Sequence, residues 1–267
     1  MQDARRRRLI QDAVLAWYGE VARDLPWRRT TDPYAILVSE VMLQQTQVSR
    51  VVPRYEAWLE RWPDAEALAA APVADVLGEW GGLGYNRRAL RLREACGVVA
   101  REGWPRDAAG LRALPGVGPY TAAAVASFAF GEQVAAVDTN VLRVASRLGL
   151  TPQELLPAGR AQTWNQAAME LGARICGARR ADCDGCPAAA WCPSAGAVVI
   201  APRAARGTRV RFEDTDRYAR GRVIAWLARG EALPDALGGE RLERALAGLE
   251  RDGLVVRDPS GAARLPG

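Results

Sequence analysis

The sequence predicts a mainly α-helical protein that ends in a small α/β module, and three observations predict it. Alanine, leucine and arginine dominate up to about residue 175, with few long β-branched runs. Pro33, Pro53, Pro63, Pro72, Pro105, Pro115, Pro119, Pro152 and Pro157 cut this stretch into short pieces, which favours an irregular helical domain over an up-and-down bundle. Apolar residues make up 49% of the 267 positions and charged residues 25%, enough to bury a sizeable core in one large or two modest domains.

Composition then removes whole classes of chemistry. All 36 cationic positions are arginine, and histidine is absent. No side-chain amine can form a Schiff base, and no imidazole can act as base or metal ligand, so a Ser-His-Asp triad, a Cys-His dyad, a lysine P-loop and a His-bearing zinc site are excluded. Catalysis must rest on carboxylates, hydroxyls, thiolates, amides or a cofactor. The net charge of +5 is mild, so its distribution matters more than its size.

The N-terminus carries Arg5 to Arg8 with no apolar stretch behind it, and no run of 18 apolar residues occurs anywhere. A cytoplasmic protein without a membrane partner is expected. Glu40 follows in Val38-Ser39-Glu40-Val41-Met42-Leu43-Gln44-Gln45-Thr46. It reads either as a solvent-facing helix glutamate or, given the apolar run around it, as a buried carboxyl that protonates easily, as a general acid must. Residues 85–112 hold Arg87, Arg88, Arg91, Arg93, Arg101, Arg106 and Arg112 against only Glu94, Glu102 and Asp107, a plausible phosphate-binding stripe.

Leu114-Pro115-Gly116-Val117-Gly118-Pro119-Tyr120-Thr121-Ala122 reads as helix, tight turn, helix. Gly116 and Gly118 let the backbone turn and approach a partner, Pro119 suits a first helical turn, and the amides of Tyr120 and Thr121 face outward where a phosphate can bind. Such a helix-hairpin-helix grips a DNA backbone without reading sequence. Downstream, Asp138 follows an apolar run and precedes a helix from Val141 to Leu148. Taken alone it is an N-cap; after the hairpin it is also a candidate catalytic carboxylate.

Four of the five cysteines fall in the spacing Cys176-x6-Cys183-x2-Cys186-x5-Cys192. A zinc ribbon pairs two distant C-x2-C knuckles. Four thiolates in one compact loop favour a [4Fe-4S] cluster, with zinc as the competitor. Cys96 stands apart as a core residue. Residues 196–215 read as a linker. From 216 on, Arg217 to Leu227 and Glu240 to Leu249 read as helices, and Leu254 to Arg257 and Ala262 to Leu265 as strands joined at Asp258-Pro259-Ser260-Gly261. Two helices and a hairpin resemble part of a winged helix. The arginine-rich tail from 203 to 222 reads either as a contact to nucleic acid or, as most charge runs do, in part as a solvated face.

The hairpin, the downstream aspartate and the cysteine loop occur in the order found in the helix-hairpin-helix base-excision DNA glycosylases, and the chain resembles the MutY adenine glycosylases among them. The matching strings are L-P-W-R at 25–28, V-S-E-V-M-L-Q-Q-T-Q-V at 38–48, G-L-G-Y at 82–85, L-P-G-V-G-P-Y-T-A at 114–122, V-D-T-N-V at 137–141 and W-N-Q-A-A-M-E-L-G-A at 164–173. The resemblance as a whole covers residues 9 to 195 or so. The resemblance implies a two-lobed helix-hairpin-helix glycosylase domain over 1–195, with a six-helix lobe at about 30–137 and a cluster lobe at about 9–29 and 138–195, then the linker and the module 216–267. It implies that Glu40 protonates a flipped adenine and that Asp138 stabilises the oxocarbenium-like sugar. It further implies that Tyr120 and Asn140 orient that site, that Gln166, Trp27 and Arg28 line the adenine pocket, and that Gln44 and Tyr85 wedge into the duplex. Breaking an N-glycosidic bond needs an acid for the leaving base and an anion for the cation left behind, as in glycoside hydrolases, and a mispaired adenine leaves the stack most easily.

Two departures matter. Relatives that cleave the strand carry lysine where this chain has Tyr120, so a monofunctional glycosylase is expected. Many MutY proteins also carry a histidine-bearing β-rich domain that recognises 8-oxoguanine, whereas here only about 70 residues without histidine follow the cysteines. The expected partner is duplex DNA with adenine opposite 8-oxoguanine or guanine, met by a monomer at the nucleoid. A thymine or uracil glycosylase for G·T or G·U is the alternative within the fold, and a non-catalytic iron-sulfur DNA-binding protein the alternative outside it. Glu40 and Gln166 favour adenine, because a purine nitrogen gives the acid a proton acceptor.

Overall fold

The computed structural model describes residues 2–197, 210–231, 237–258 and 261–266. Most of the expected linker, and Pro259 and Ser260 of the expected turn, lie outside the described residues. The helices are α1 (Gln2–Val21), α2 (Pro33–Leu43), α3 (Val48–Arg61), α4 (Ala65–Ala70), α5 (Val73–Glu79), α6 (Arg87–Glu102), α7 (Ala108–Leu111), α8 (Pro119–Phe130), α9 (Thr139–Leu148), α10 (Pro152–Leu155), α11 (Ala161–Arg174), α12 (Asp216–Ala228) and α13 (Gly239–Arg251). Two short strands follow, β1 (Val256–Arg257) and β2 (Ala263–Arg264). The mainly helical class is as the composition predicts. Contacts gather the chain into two compact units, Met1–Glu40 with Trp104–Ala113 and Val117–Ala204, and Val41–Gly103 with Leu114–Gly116 and Ala205–Gly267.

The first unit is built on three amphipathic stripes. Val141, Val144, Ala145 and Leu148 of α9 recur at i, i+3, i+4 and i+7, and Trp164, Ala167, Ala168 and Leu171 of α11 repeat the same spacing. They meet Ile10, Val14 and Tyr18 of α1 in one core, where each large apolar side chain contributes about 1.5–3 kcal/mol. Local signals punctuate these helices. Gly149 closes α9 at φ 66°, and its amide and that of Leu150 return to Ser146 and Ala145 carbonyls. Thr151 and Glu154 form a capping box on α10.

In the second unit Trp58 packs edge-on against both Trp62 and Trp80, with ring centroids 4.6 and 5.4 Å apart. The C-terminal helices pack against α5 of this unit. Ala219, Val223 and Ile224 of α12 and Leu246 and Leu249 of α13 share a core with Val73 and Leu77 of α5. The expected helices and hairpin are present. β1 and β2 pair antiparallel with Val256 opposite Arg264, but Leu254 and Val255, expected in the first strand, are buried in that shared core ahead of it.

Candidate active site and cysteine loop

Helix α2 is apolar on nearly every face, so it is buried on nearly every face. Asp32 caps it, accepting from the Tyr34 and Ala35 amides at 3.1 Å. Glu40 is carried into the interior with the rest and keeps 6% of its surface. Burial pushes its carboxyl up to about 7; a hydrogen bond from Tyr120 partly opposes this, and the nearby Asp138 charge adds to it. Tyr120 is itself driven well above the ordinary phenol range, by burial first and then by Glu40. It stays a neutral hydroxyl, and its oxygen also lies 3.7 Å from Met169 Sδ.

Asp138 is the N-cap of α9, and its charge also lies close enough to Glu40 to act on it. Its Oδ1 accepts from the Val141 amide at 2.7 Å, and its Oδ2 from Asn140 Nδ2 at 2.7 Å. The extended segment that delivers it is pinned by buried Asn165, which accepts from the Ala136 amide at 3.0 Å and donates to Ser127 Oγ and the Val134 carbonyl, both at 2.9 Å. Asn140 is held in turn. Arg143 Nη2 donates to Asn140 Oδ1 and to the Gly172 carbonyl, both at 2.7 Å, and Arg143 Nε donates to the Cys176 carbonyl at 2.8 Å. A β-carbon on Gly172 would lie 2.6 Å from Asn140 Cβ, so glycine is required where α11 meets Asn140. Glu40, Tyr120, Asp138 and Asn140 thus form one cluster.

The expected base-pocket residues lie in the same unit. Gln166 Oε1 accepts from the Tyr18 hydroxyl at 2.8 Å. Arg28 Nη2 donates to Glu170 Oε2 at 2.8 Å, and Trp27 is buried. Tyr18, Arg23, Arg143 and Glu170 escaped the sequence reading. The one available signal was the i, i+4 spacing of Gln166 and Glu170 on α11, which sets them on one face.

In the hairpin, Gly116 adopts φ 76°, and a β-carbon there would meet Arg91 Cβ at 2.6 Å. Gly118 is the N-cap of α8, whose first intrahelical bond runs from the Ala122 amide to the Gly118 carbonyl, leaving the Tyr120 and Thr121 amides without helix partners. The side chains of Val117 and Thr121 are buried, so these two positions offer backbone rather than side chain to a phosphate.

The second unit holds Gln44, Tyr85 and the part of the arginine stripe from Arg87 to Arg101. Tyr85 is 47% exposed, and both Tyr85 (φ 50°) and Gln45 (φ 56°) adopt the left-handed conformation, strain of the kind found at functional loops. Arg88 corrects the stripe. Its guanidinium donates to the carbonyls of Val41 (2.6 Å), Gln44 (2.9 Å), Leu83 (3.1 Å) and Gly84 (3.0 Å), so it ties the two strained loops together and offers little to a phosphate. Arg87 and Arg91 are exposed and pair with Asp252 at 3.6 Å and Glu94 at 2.7 Å.

Cys176, Cys183, Cys186 and Cys192 are all free thiols and line one small cavity of about 30 Å³. Arg147 Nη1 lies 3.2 Å from Cys176 Sγ and supplies positive charge beside it. Among the described residues no three ligand side chains are already close enough to hold an ion. Cys96 is a buried core thiol on α6, pushed by burial up to about 12.

Residues 38–165 match the family described as HhH-GPD superfamily base excision DNA repair protein. The chain is 43% identical to an adenine DNA glycosylase of Mycolicibacterium smegmatis over 95% of each chain, and 41% identical to one of Mycobacterium tuberculosis over 98% of this chain and 95% of that one. Among solved structures, a thermostable thymine-DNA glycosylase superposes with a TM-score of 0.69 at 29% identity, covering 74% of this chain and all of that one. The chain belongs to the helix-hairpin-helix (HhH-GPD) superfamily of base excision DNA repair proteins and, within it, to the adenine DNA glycosylases.

Proposed function

We propose that the protein removes adenine from duplex DNA where it is mispaired with 8-oxoguanine or guanine, without cutting the strand. The observation that carries the mechanism is a buried carboxyl, Glu40, whose pKa of about 7 leaves it able to donate a proton at neutral pH, packed beside a second carboxylate, Asp138. Glu40 protonates a ring nitrogen of the flipped base, turning it into a leaving group. Asp138 stabilises the positive charge that develops on the sugar until water adds at that carbon and loses a proton, and its N-cap and Asn140 contacts keep it aimed. Tyr120 hydrogen-bonds Glu40 where a lyase would carry an amine, so the abasic product leaves uncleaved. Identity of 41–43% to adenine glycosylases over nearly full length favours adenine over the thymine alternative.

Gly116, Val117, Gly118, Tyr120 and Thr121 grip phosphate through the hairpin backbone, Arg87 and Arg91 add charge, and Gln44 and Tyr85 enter the duplex. Residues 1–195 form the glycosylase domain and 216–267 a small accessory module. Cys176, Cys183, Cys186 and Cys192 suit a [4Fe-4S] cluster: the donors are four sulfurs and they line one cavity. The group, when bound, cross-links the loop after α11.

The test is a panel of duplexes carrying A·8-oxoguanine, A·G, G·T and G·U, each with and without hot alkali. Adenine loss with strand breaks only after alkali is expected. Strand cleavage by the protein alone, or preference for G·T, contradicts the reading. Asp138→Asn should lose turnover while still binding DNA.

A further inference from the structure

The C-terminal helices add a concave surface to the unit that holds Gln44 and Tyr85. A groove of about 490 Å³ lies between residues 81–86 and one face of α12. Arg217, Gly221 and Ala225 recur at i, i+4 and i+8, so they form one stripe of α12 along it, while Ala219, Val223 and Trp226 turn to the core shared with α5. The two left-handed residues, Gln45 and Tyr85, also line it. A β-carbon on Gly221 would meet nothing within 4 Å, so the groove is open above α12.

Its charge is one-sided. The ionised side chains of the lining are Arg50, Arg217 and Arg222, with no acid among them; Glu213, Asp214 and Asp216, which lead into α12, lie outside it. Among the described residues none of the three meets a carboxylate in an ion pair. Arg50 donates to the Gly82 carbonyl at 2.6 Å, and Arg217 and Arg222 lie over the Tyr85 and Trp226 rings, each 4.9 Å from the centroid. The neighbouring hollow, also lined by Tyr85, is different: there Arg87 and Arg220 both pair with Asp252. Like charge gathered in a concave face repels itself and raises the local potential, which an anionic partner relieves. Phe212, 57% exposed, packs edge-on against Tyr218 with centroids 5.7 Å apart, so aromatic surface stands beside the guanidinium groups. Guanidinium groups suit phosphates and aromatic faces suit sugars and bases, the combination that tracks a nucleic-acid strand.

We propose that this groove binds the DNA backbone beside the point where Gln44 and Tyr85 enter the duplex, with Arg217 and Arg222 each meeting a phosphate, so that the C-terminal module is part of the DNA-binding surface. This rests on the proposed place of Gln44 and Tyr85 in the duplex.

The experiment measures the affinity of the full-length protein for a labelled A·G duplex by fluorescence anisotropy over a range of salt concentrations. A 2′-fluorine on the target sugar opposes an oxocarbenium-like transition state and keeps the adenine in place. Arg217→Gln and Arg222→Gln should each lower the slope of log affinity against log salt by about one, and the pair by about two. Gly221→Glu puts a carboxylate into open space on an exposed helix face; it should weaken binding several-fold at an unchanged melting temperature. Arg244→Gln, the same change of charge on α13 outside the groove, should leave the slope as it is. Slopes that stay at the parent value for Arg217→Gln and Arg222→Gln, or that fall equally for Arg244→Gln, overturn the proposal, as does a Gly221→Glu variant that binds like the parent. Gln44→Ala tests the reading beneath it and should weaken binding at an unchanged slope. If Gln44→Ala binds like the parent, Gln44 does not enter the duplex, and the arginine slopes still decide the groove.

Discussion

At Glu40 two demands oppose each other. Burial among the apolar residues of α2 disfavours the charged carboxylate, whereas the Tyr120 hydroxyl favours it, and burial prevails. The folded-state pKa of about 7 stands above the ordinary value of 4.5, so between those values the folded protein binds more protons than the unfolded chain. Stability therefore falls as pH rises from 4.5 to 7 and stays lowered above it. Glu40→Gln keeps the shape and cannot ionise. At pH 8 the variant should be more stable than the parent by about 3 kcal/mol, the order set by such a shift, while the two should melt nearly together at pH 4.5. Equal melting temperatures at both pH values would remove the buried ionisation. The gain is the signature of a site that carries a destabilising group for its chemistry.

At the scale of elements, the site depends on how closely α9 and α11 approach. Gly172 permits that approach, and its carbonyl and Asn140 Oδ1 share the Arg143 guanidinium. Gly172→Ala puts a methyl against Asn140 and should destabilise by about 1–3 kcal/mol. Thermal melting reads that loss, and an excision rate that falls more than stability alone explains shows Asn140 displaced from Asp138. An unchanged rate would mean that Asn140 does not aim Asp138. These elements were largely legible beforehand: periodicity marked α9, the string from Leu114 to Ala122 marked the hairpin and α8, and the thiol spacing marked the loop. Long-range partners were not. Nothing near Tyr18 says that it meets Gln166 nearly 150 positions away, and Arg88 read as one more cation in a basic run. Charge patterning reports how many guanidinium groups there are, but whether one turns inward to backbone carbonyls is settled only by packing.

At the scale of the molecule, α12 and α13 of the small C-terminal module cover Val73 and Leu77 of α5, and removing residues 216–267 would expose both. The truncated chain should melt several degrees lower, since each such side chain contributes about 1.5–3 kcal/mol. An unchanged melting temperature would mean that the core they share with α5 adds no stability. No helix among the described residues is long and apolar enough to cross a membrane. With histidine and lysine absent, the proposed chemistry rests on two carboxylates, and their protonation is its most exposed claim. The decisive measurement is the pH dependence of adenine release from an A·8-oxoguanine duplex under single-turnover conditions, for the parent and for Glu40→Gln. The account predicts a parent rate that is level just below pH 7 and falls about tenfold per unit above it, with the variant near background throughout. A parent rate that climbs from pH 7 to 9, or a variant that keeps pace with the parent, would contradict it.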